Sequence, residues 1–193
     1  MYEQFLYFWL MWIIFIIVTF FMQTNRKRTF LMIWILLMIT STNLYISVQS
    51  IQISFNFILL FVGTIIFYVY NSFSAYKMIL TFTIMIGYVS ILIWQKITPI
   101  WFFMPSYFMI PVLIVILILL LIPNFYEQLP IGIMGIVFGQ FLFEWIIISY
   151  RLHDVIGNKS FFIHVCFIIL FLIFVRATQI IVNKMMNVIR RYT

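Results

Sequence analysis

The sequence predicts an all-α fold, a polytopic bundle of transmembrane helices that forms one integral membrane domain over residues 1–193. The first observation is composition: 66% of the residues are hydrophobic and 8% are charged, whereas soluble domains carry roughly 25% charged residues. The second is that apolar runs of about 18–22 residues recur along the chain, the length that crosses a ~30 Å bilayer core as a helix. The third is that Lys and Arg cluster beside these runs. The net charge is +7. We expect these basic residues to lie beside a lipid bilayer, and we expect no nucleic acid as a partner.

Seven apolar segments are predicted to span the membrane. We expect helices because a chain in lipid must satisfy its own backbone hydrogen bonds, which an open strand cannot do. A re-entrant segment in the middle would reduce the count to six, and both counts stay open. The predicted spans lie near residues 5–22, 30–48, 53–70, 78–94, 100–122, 131–149 and 160–182.

The first span is predicted to be retained, because no basic stretch precedes it and Arg26, Lys27 and Arg28 follow it. A polar stretch from Ser41 to Ser54 connects the second and third spans. We interpret it as a solvated outer loop, with a wet vestibule as the alternative.

The fifth span carries Pro105 and Pro111 after Pro99. An interior proline removes a backbone donor, so a kinked helix is predicted, and a hinge lining a cavity is the alternative. The seventh span runs into an amphipathic tail, residues 176–193, with Arg176 reaching the inner interface. This tail is a candidate contact for anionic lipid.

The orientation follows from the eleven Lys and Arg residues. With the amino terminus outside and the carboxyl terminus in the cytoplasm, most of them face inward, as the positive-inside rule requires. The residues placed inside are Arg26, Lys27, Arg28, Lys77, Arg176, Lys184, Arg190 and Arg191; those outside are Lys96, Arg151 and Lys159.

The sixth span carries small residues at helical spacing. Gly135 and Gly139 form a GxxxG pattern, and Gly132 lies one turn earlier on nearly the same face. Small residues at this spacing let two helices approach closely. We predict helix packing within the chain, with dimerisation as the second interpretation.

A candidate intramembrane polar site surrounds Glu144, an acid well inside an apolar run. A charge at mid-bilayer costs on the order of 2.5–3.5 kcal/mol, so Glu144 should face the protein interior or find a partner. Structural ion pairing is favoured over a proton relay, a metal site or acid–base catalysis, and we expect no metal and no cofactor. The candidate residues are Glu144, His164, Arg151, Gln140, His153 and Asp154.

The chain opens with an aromatic run and a basic turn. The run consists of Phe5-Leu6-Tyr7-Phe8-Trp9, Trp12 and Thr19-Phe20-Phe21-Met22, and the turn ends at Arg28-Thr29. With the chain length and hydropathy profile, this opening resembles that of the YphA-like membrane proteins of Bacillus-type bacteria. The resemblance implies a small bacterial multi-pass protein of a family without an assigned activity, and it transfers no catalytic residue.

The motifs of common enzymes are missing from the sequence, including a GxSxG nucleophile and a phosphate-binding loop. The leading hypothesis is a non-enzymatic protein of a bacterial plasma membrane that acts as a partner or assembly component of another membrane protein. The alternative is a small transporter or lipid flippase that uses the polar site around Glu144 and His164. An intramembrane enzyme is a third, weaker hypothesis.

Overall fold

The computed structural model describes residues 2–48, 51–70, 74–98, 105–150 and 155–192. Within these residues the chain forms seven α-helices and one β-hairpin. In chain order the elements are α1 (Tyr2–Phe21), α2 (Arg26–Thr40), β1 (Tyr45–Val48), β2 (Ile51–Ser54), α3 (Phe55–Tyr70), α4 (Ala75–Ile97), α5 (Ser106–Leu121), α6 (Phe125–Ser149) and α7 (Lys159–Tyr192).

The helical membrane fold predicted from the sequence is confirmed. Within the described residues, α1, α4, α6 and α7 are long and apolar enough to cross a membrane, by length and composition. Helices α2, α3 and α5 are apolar but shorter. A 15-residue helix such as α2 is about 22 Å long, less than the ~30 Å hydrocarbon core. The number of spans therefore stays a prediction.

Helix α6 is the most buried of the four long helices and lies at the centre of the bundle. Helix α6 packs against α3, α4, α5 and α7, and α7 packs against α1, α5 and α6. Helices α1 and α7 run in the same direction, because residues later in α1 contact residues later in α7. Ser160 bonds to Glu3, and further along Cys166 contacts Met11.

The second predicted span is too long, because α2 ends at Thr40 and residues 45–48 form a strand. The Ser41 hydroxyl approaches the Leu37 carbonyl oxygen at 2.6 Å, and the Thr42 hydroxyl approaches the Ile39 carbonyl oxygen at 2.8 Å. Such side-chain bonds satisfy carbonyls that a continuing helix would use, which favours a helix end.

The hairpin satisfies its backbone by pairing. Strand β1 pairs antiparallel with β2, with Tyr45 opposite Ser54 and Val48 opposite Ile51. The other edge of β2 is tied to Ile156, whose N–H donates to the Gln52 carbonyl at 2.9 Å. The connection before α7 therefore joins the hairpin, and we call this part of the bundle the hairpin end.

Two proline positions differ from the prediction. Pro105 lies immediately before α5, so it does not interrupt the helix, whereas Pro111 is inside α5 and buried. Pro130 immediately precedes the predicted span at residues 131–149, yet it lies inside α6, because that helix already begins at Phe125. Pro99 lies outside the described residues.

Candidate functional site

A buried polar network links α4, α6 and α7. The Gln140 amide Nε2 donates to Glu144 Oε1 at 2.7 Å. The Tyr88 hydroxyl lies 3.2 Å from Gln140 Oε1 and 3.3 Å from His164 Nδ1. Glu144 and Tyr88 are completely buried, and Gln140 and His164 are 3% and 4% exposed. The network therefore connects an acid on one helix to a histidine on another through a tyrosine on a third.

The glycines of α6 bring α4 close enough for Tyr88 to reach this network. A Cβ atom at Gly135 would lie 2.9 Å from the Thr81 carbonyl oxygen, and one at Gly139 would lie 2.9 Å from Tyr88 Cδ1. Gly132 instead faces α5, where a Cβ atom would lie 2.8 Å from Ile118 Cδ1. The sequence indicated close packing at these glycines, and in the structure the helices that pack there are α4 and α5.

Gln140 and Glu144 are one helical turn apart, so their side chains meet on one face of α6. Glu144 lies five residues before the end of α6 and His164 five residues after the start of α7, by their positions in these helices. At 1.5 Å per residue, both lie about 8 Å from a helix end. The two side chains are at a similar depth, and Tyr88 and Gln140 join them. Of the other candidate residues, Arg151, His153 and Asp154 lie outside the described residues.

A second polar cluster was missed in the sequence. The Asn56 amide Nδ2 donates to the Met38 carbonyl oxygen at 2.9 Å and to the Tyr7 hydroxyl at 3.2 Å. Asn56 Oδ1 contacts the Ser41 hydroxyl. Asn56 is 1% exposed, and Ser41, Thr42 and Ser54 are also buried. The interpretation of this stretch as a solvated loop is therefore wrong for these residues, whereas Ser47 and Gln52 are exposed.

Charged side chains contact one another where α4 and α6 begin, at the end of the bundle opposite the hairpin end. Lys77 Nζ lies 3.3 Å from Glu127 Oε1. Nearby along α6, the Arg176 guanidinium lies over the Phe125 ring, 5.2 Å from its centroid. Lys77 and Arg176 were both assigned to the cytoplasmic side, and the structure places each beside the first turns of α6.

The chemistry available to the network is proton binding and hydrogen bonding. Among the described residues, no group of three or more His, Cys, Asp and Glu side chains lies together in a way that could hold a metal ion. The carboxyl group of Glu144, the hydroxyl of Tyr88 and the imidazole of His164 can each carry or exchange a proton.

The apolar helices and the polar network enclosed among them define a helical integral membrane protein. The model of the YphA-like integral membrane protein family matches residues 3–193, and the chain therefore belongs to this family. It is 25% identical over 150 residues to a Bacillus subtilis (strain 168) protein described as "Uncharacterized protein YphA", an alignment that covers 75% of this chain and 73% of that protein. No solved structure matches the chain. The resemblance seen in the first thirty residues is confirmed and extends along almost the whole chain.

Proposed function

We propose that this protein is a non-enzymatic component of a bacterial plasma membrane that acts by associating with another membrane protein. The observation that carries the proposal is the uncovered end of α7. Residues 177–186 are all exposed, including the apolar side chains of Ile181, Val182 and Met185. No element of the described residues covers this end of α7, and an amphipathic helix of this kind is suited to pack into an apolar groove of a partner.

The polar network supports the same proposal. Its hydrogen bonds join α4, α6 and α7, and its side chains are buried against one another. A network of this kind holds helices together in lipid, where each such bond contributes about 0.6–2 kcal/mol. Glu144 then has a structural use that needs no substrate.

Two variants separate association from chemistry at Glu144. We expect a chain that stops after Arg176 to fold with an unchanged melting temperature and to fail to complement a deletion strain. Glu144→Gln should complement that strain, because an amide can still hydrogen-bond to Gln140. Glu127→Gln, which changes the other acid of α6, is the matched control and should also complement. Full complementation by the truncated chain would contradict the proposal.

The kind of contact made by α7 is tested by two single substitutions. Met185→Ser removes an exposed apolar side chain, and Lys184→Gln removes an exposed charge. A protein groove predicts that Met185→Ser has the larger effect on complementation. A larger effect of Lys184→Gln would instead assign the tail to anionic lipid, since basic residues supply about 1 kcal/mol each at such a surface.

The second candidate function is a small transporter or lipid flippase. It is favoured by one specific observation, the chain of contacts that joins Glu144 to His164 through Gln140 and Tyr88. Ionisable residues within membrane helices commonly mark ion or proton pathways. For this function Glu144→Gln should fold normally and fail to complement, because the amide cannot titrate.

A further inference from the structure

The hydrogen bonds that join Glu144 to His164 can all run in either of two directions. A carboxylate only accepts, a protonated carboxyl also donates, and an amide donates from nitrogen and accepts at oxygen. A hydroxyl has one proton to donate, and one nitrogen of a neutral imidazole carries a proton while the other accepts. The direction of one bond therefore fixes the direction of the next.

In the first arrangement Glu144 is ionised. Gln140 Nε2 donates to Glu144 Oε1, as in the structure, and Gln140 Oε1 accepts from the Tyr88 hydroxyl. The Tyr88 oxygen then accepts from His164, whose proton must be on Nδ1. Every bond in the chain points toward Glu144.

In the second arrangement Glu144 is protonated and donates to the Gln140 oxygen, after the amide group has rotated by half a turn. The Gln140 nitrogen then donates to the Tyr88 oxygen, and the Tyr88 hydroxyl donates to His164 Nδ1. His164 must now carry its proton on Nε2. Heavy-atom positions scarcely change, since amide oxygen and nitrogen have nearly the same shape.

Arrangements in which some of these bonds are reversed and others are not are disfavoured, because they place two acceptors or two donors face to face. Such a clash leaves a buried polar group without its bond, which costs more than the loss of a bond on a surface. All four side chains are buried. Bulk water therefore does not replace a hydrogen bond that the network fails to make.

The titratable side chains that the described residues bring into this network are Tyr88 of α4 and His164 of α7. Helices α3 and α5 also pack against α6. The tyrosine Tyr68 of α3 contacts Thr81 through its hydroxyl, and Tyr107 lies in the first turn of α5.

We infer that Glu144 is the proton-binding group of a two-state network, and that one proton bound on α6 switches His164 on α7 from the Nδ1–H to the Nε2–H tautomer. The net uptake is one proton, held by Glu144. His164 releases its Nδ1 proton to bulk water and takes one from bulk water on Nε2, an exchange that burial slows, so its charge does not change. Nε2 thereby changes from an acceptor to a donor. The inference concerns the network and holds whether the protein associates or transports.

The test follows the protonation of Glu144 and the tautomer of His164 in the full chain reconstituted in lipid bilayers. With ¹⁵N-labelled histidine and His153→Asn, His164 is the one histidine left of two, and its ¹⁵N shifts report the tautomer. The carbonyl stretch of a protonated carboxyl, assigned by its loss in Glu144→Gln, reports Glu144. As pH falls, we expect the Nε2–H tautomer to replace the Nδ1–H tautomer in step with the Glu144 band.

Tyr88→Phe removes the hydroxyl that couples the two groups and keeps the ring. In that variant the Glu144 band should still titrate while the His164 tautomer no longer follows it. Tyr68→Phe is the matched control and should leave the coupling intact. The inference is overturned if wild-type His164 keeps one tautomer while Glu144 titrates, if it becomes imidazolium instead, or if the Glu144 band does not change with pH. These outcomes are read with Tyr88 in place, so they do not depend on whether Tyr88→Phe folds.

Discussion

Gly139 of α6 lies against Tyr88 of α4 so closely that a Cβ atom on the glycine would be 2.9 Å from Tyr88 Cδ1. The same tyrosine uses its hydroxyl to contact Gln140 and His164. Close helix packing and the polar network therefore depend on one pair of residues, because α4 must approach α6 before Tyr88 can reach the network.

Gly139→Ala should destabilise the protein by about 1–3 kcal/mol, since the added methyl meets a ring and a backbone carbonyl that cannot move freely. The measurement is the melting temperature in detergent. Gly87→Ala is the matched control, because its methyl would meet the flexible end of Leu117, and alanine favours a helix over glycine. Gly139→Leu should be worse than Gly139→Ala. Equal melting temperatures for Gly139→Ala and Gly87→Ala would mean that this face of α6 does not pack against α4.

Tyr88→Phe should lower the free energy of unfolding by about 1–2 kcal/mol, because it leaves buried groups of Gln140 and His164 without the hydroxyl they contact. The ring is kept, so packing against Gly139 is unchanged. Tyr126→Phe serves as the control, since Tyr126 is 80% exposed. Denaturant unfolding of both variants in mixed micelles checks the prediction, and a Tyr88→Phe variant as stable as Tyr126→Phe would argue that the network contributes nothing to folding.

Gly157→Ala should destabilise the hairpin end. Gly157 has φ of 72°, a conformation that costs an ordinary residue roughly 1–2 kcal/mol. A Cβ atom there would also lie 2.5 Å from Phe57 Cβ. Asn158→Ala, which removes the side chain that accepts from the Phe161 N–H at 2.9 Å, should cost about 1 kcal/mol and is the comparison. A melting temperature unaffected by Gly157→Ala would show that this turn has a different conformation.

The helical fold could be predicted from the sequence because the bilayer imposes both a length and complete backbone bonding. Those same rules misassigned residues 45–48, since a hairpin that pairs its own backbone also satisfies the second requirement. Asn56, an amide inside an apolar segment, was the available signal for the buried cluster beside Tyr7.

The candidate site could be predicted in part. The sequence grouped Glu144, Gln140 and His164 in one candidate polar site, and the glycine spacing indicated a close helix. Neither observation identifies the helix that packs against the glycines of α6, because several helices of a bundle could lie there. Tyr88 was missed for this reason, as one tyrosine among eleven.

The threading of the chain through the membrane is the claim on which the depth of Glu144 and the position of the tail both depend, and thiol labelling tests it most directly. Single cysteines are introduced in a Cys166→Ser background, which removes the one native cysteine. Asn25 and Asn158 are poor positions for them, because their side chains bond to the backbone at the starts of α2 and α7. The exposed positions Thr24, Ser47 and Thr178 are better.

With an impermeant thiol reagent, we predict that Ser47→Cys reacts in intact cells and that Thr24→Cys and Thr178→Cys react only after the cells are permeabilised. Ser47 then reports the hairpin end, which the amino terminus shares through the contact of Gln4 with Asn43. Labelling of Thr178→Cys from outside the cell, together with Ser47→Cys, would place both ends of the chain on one side and contradict the seven-span account.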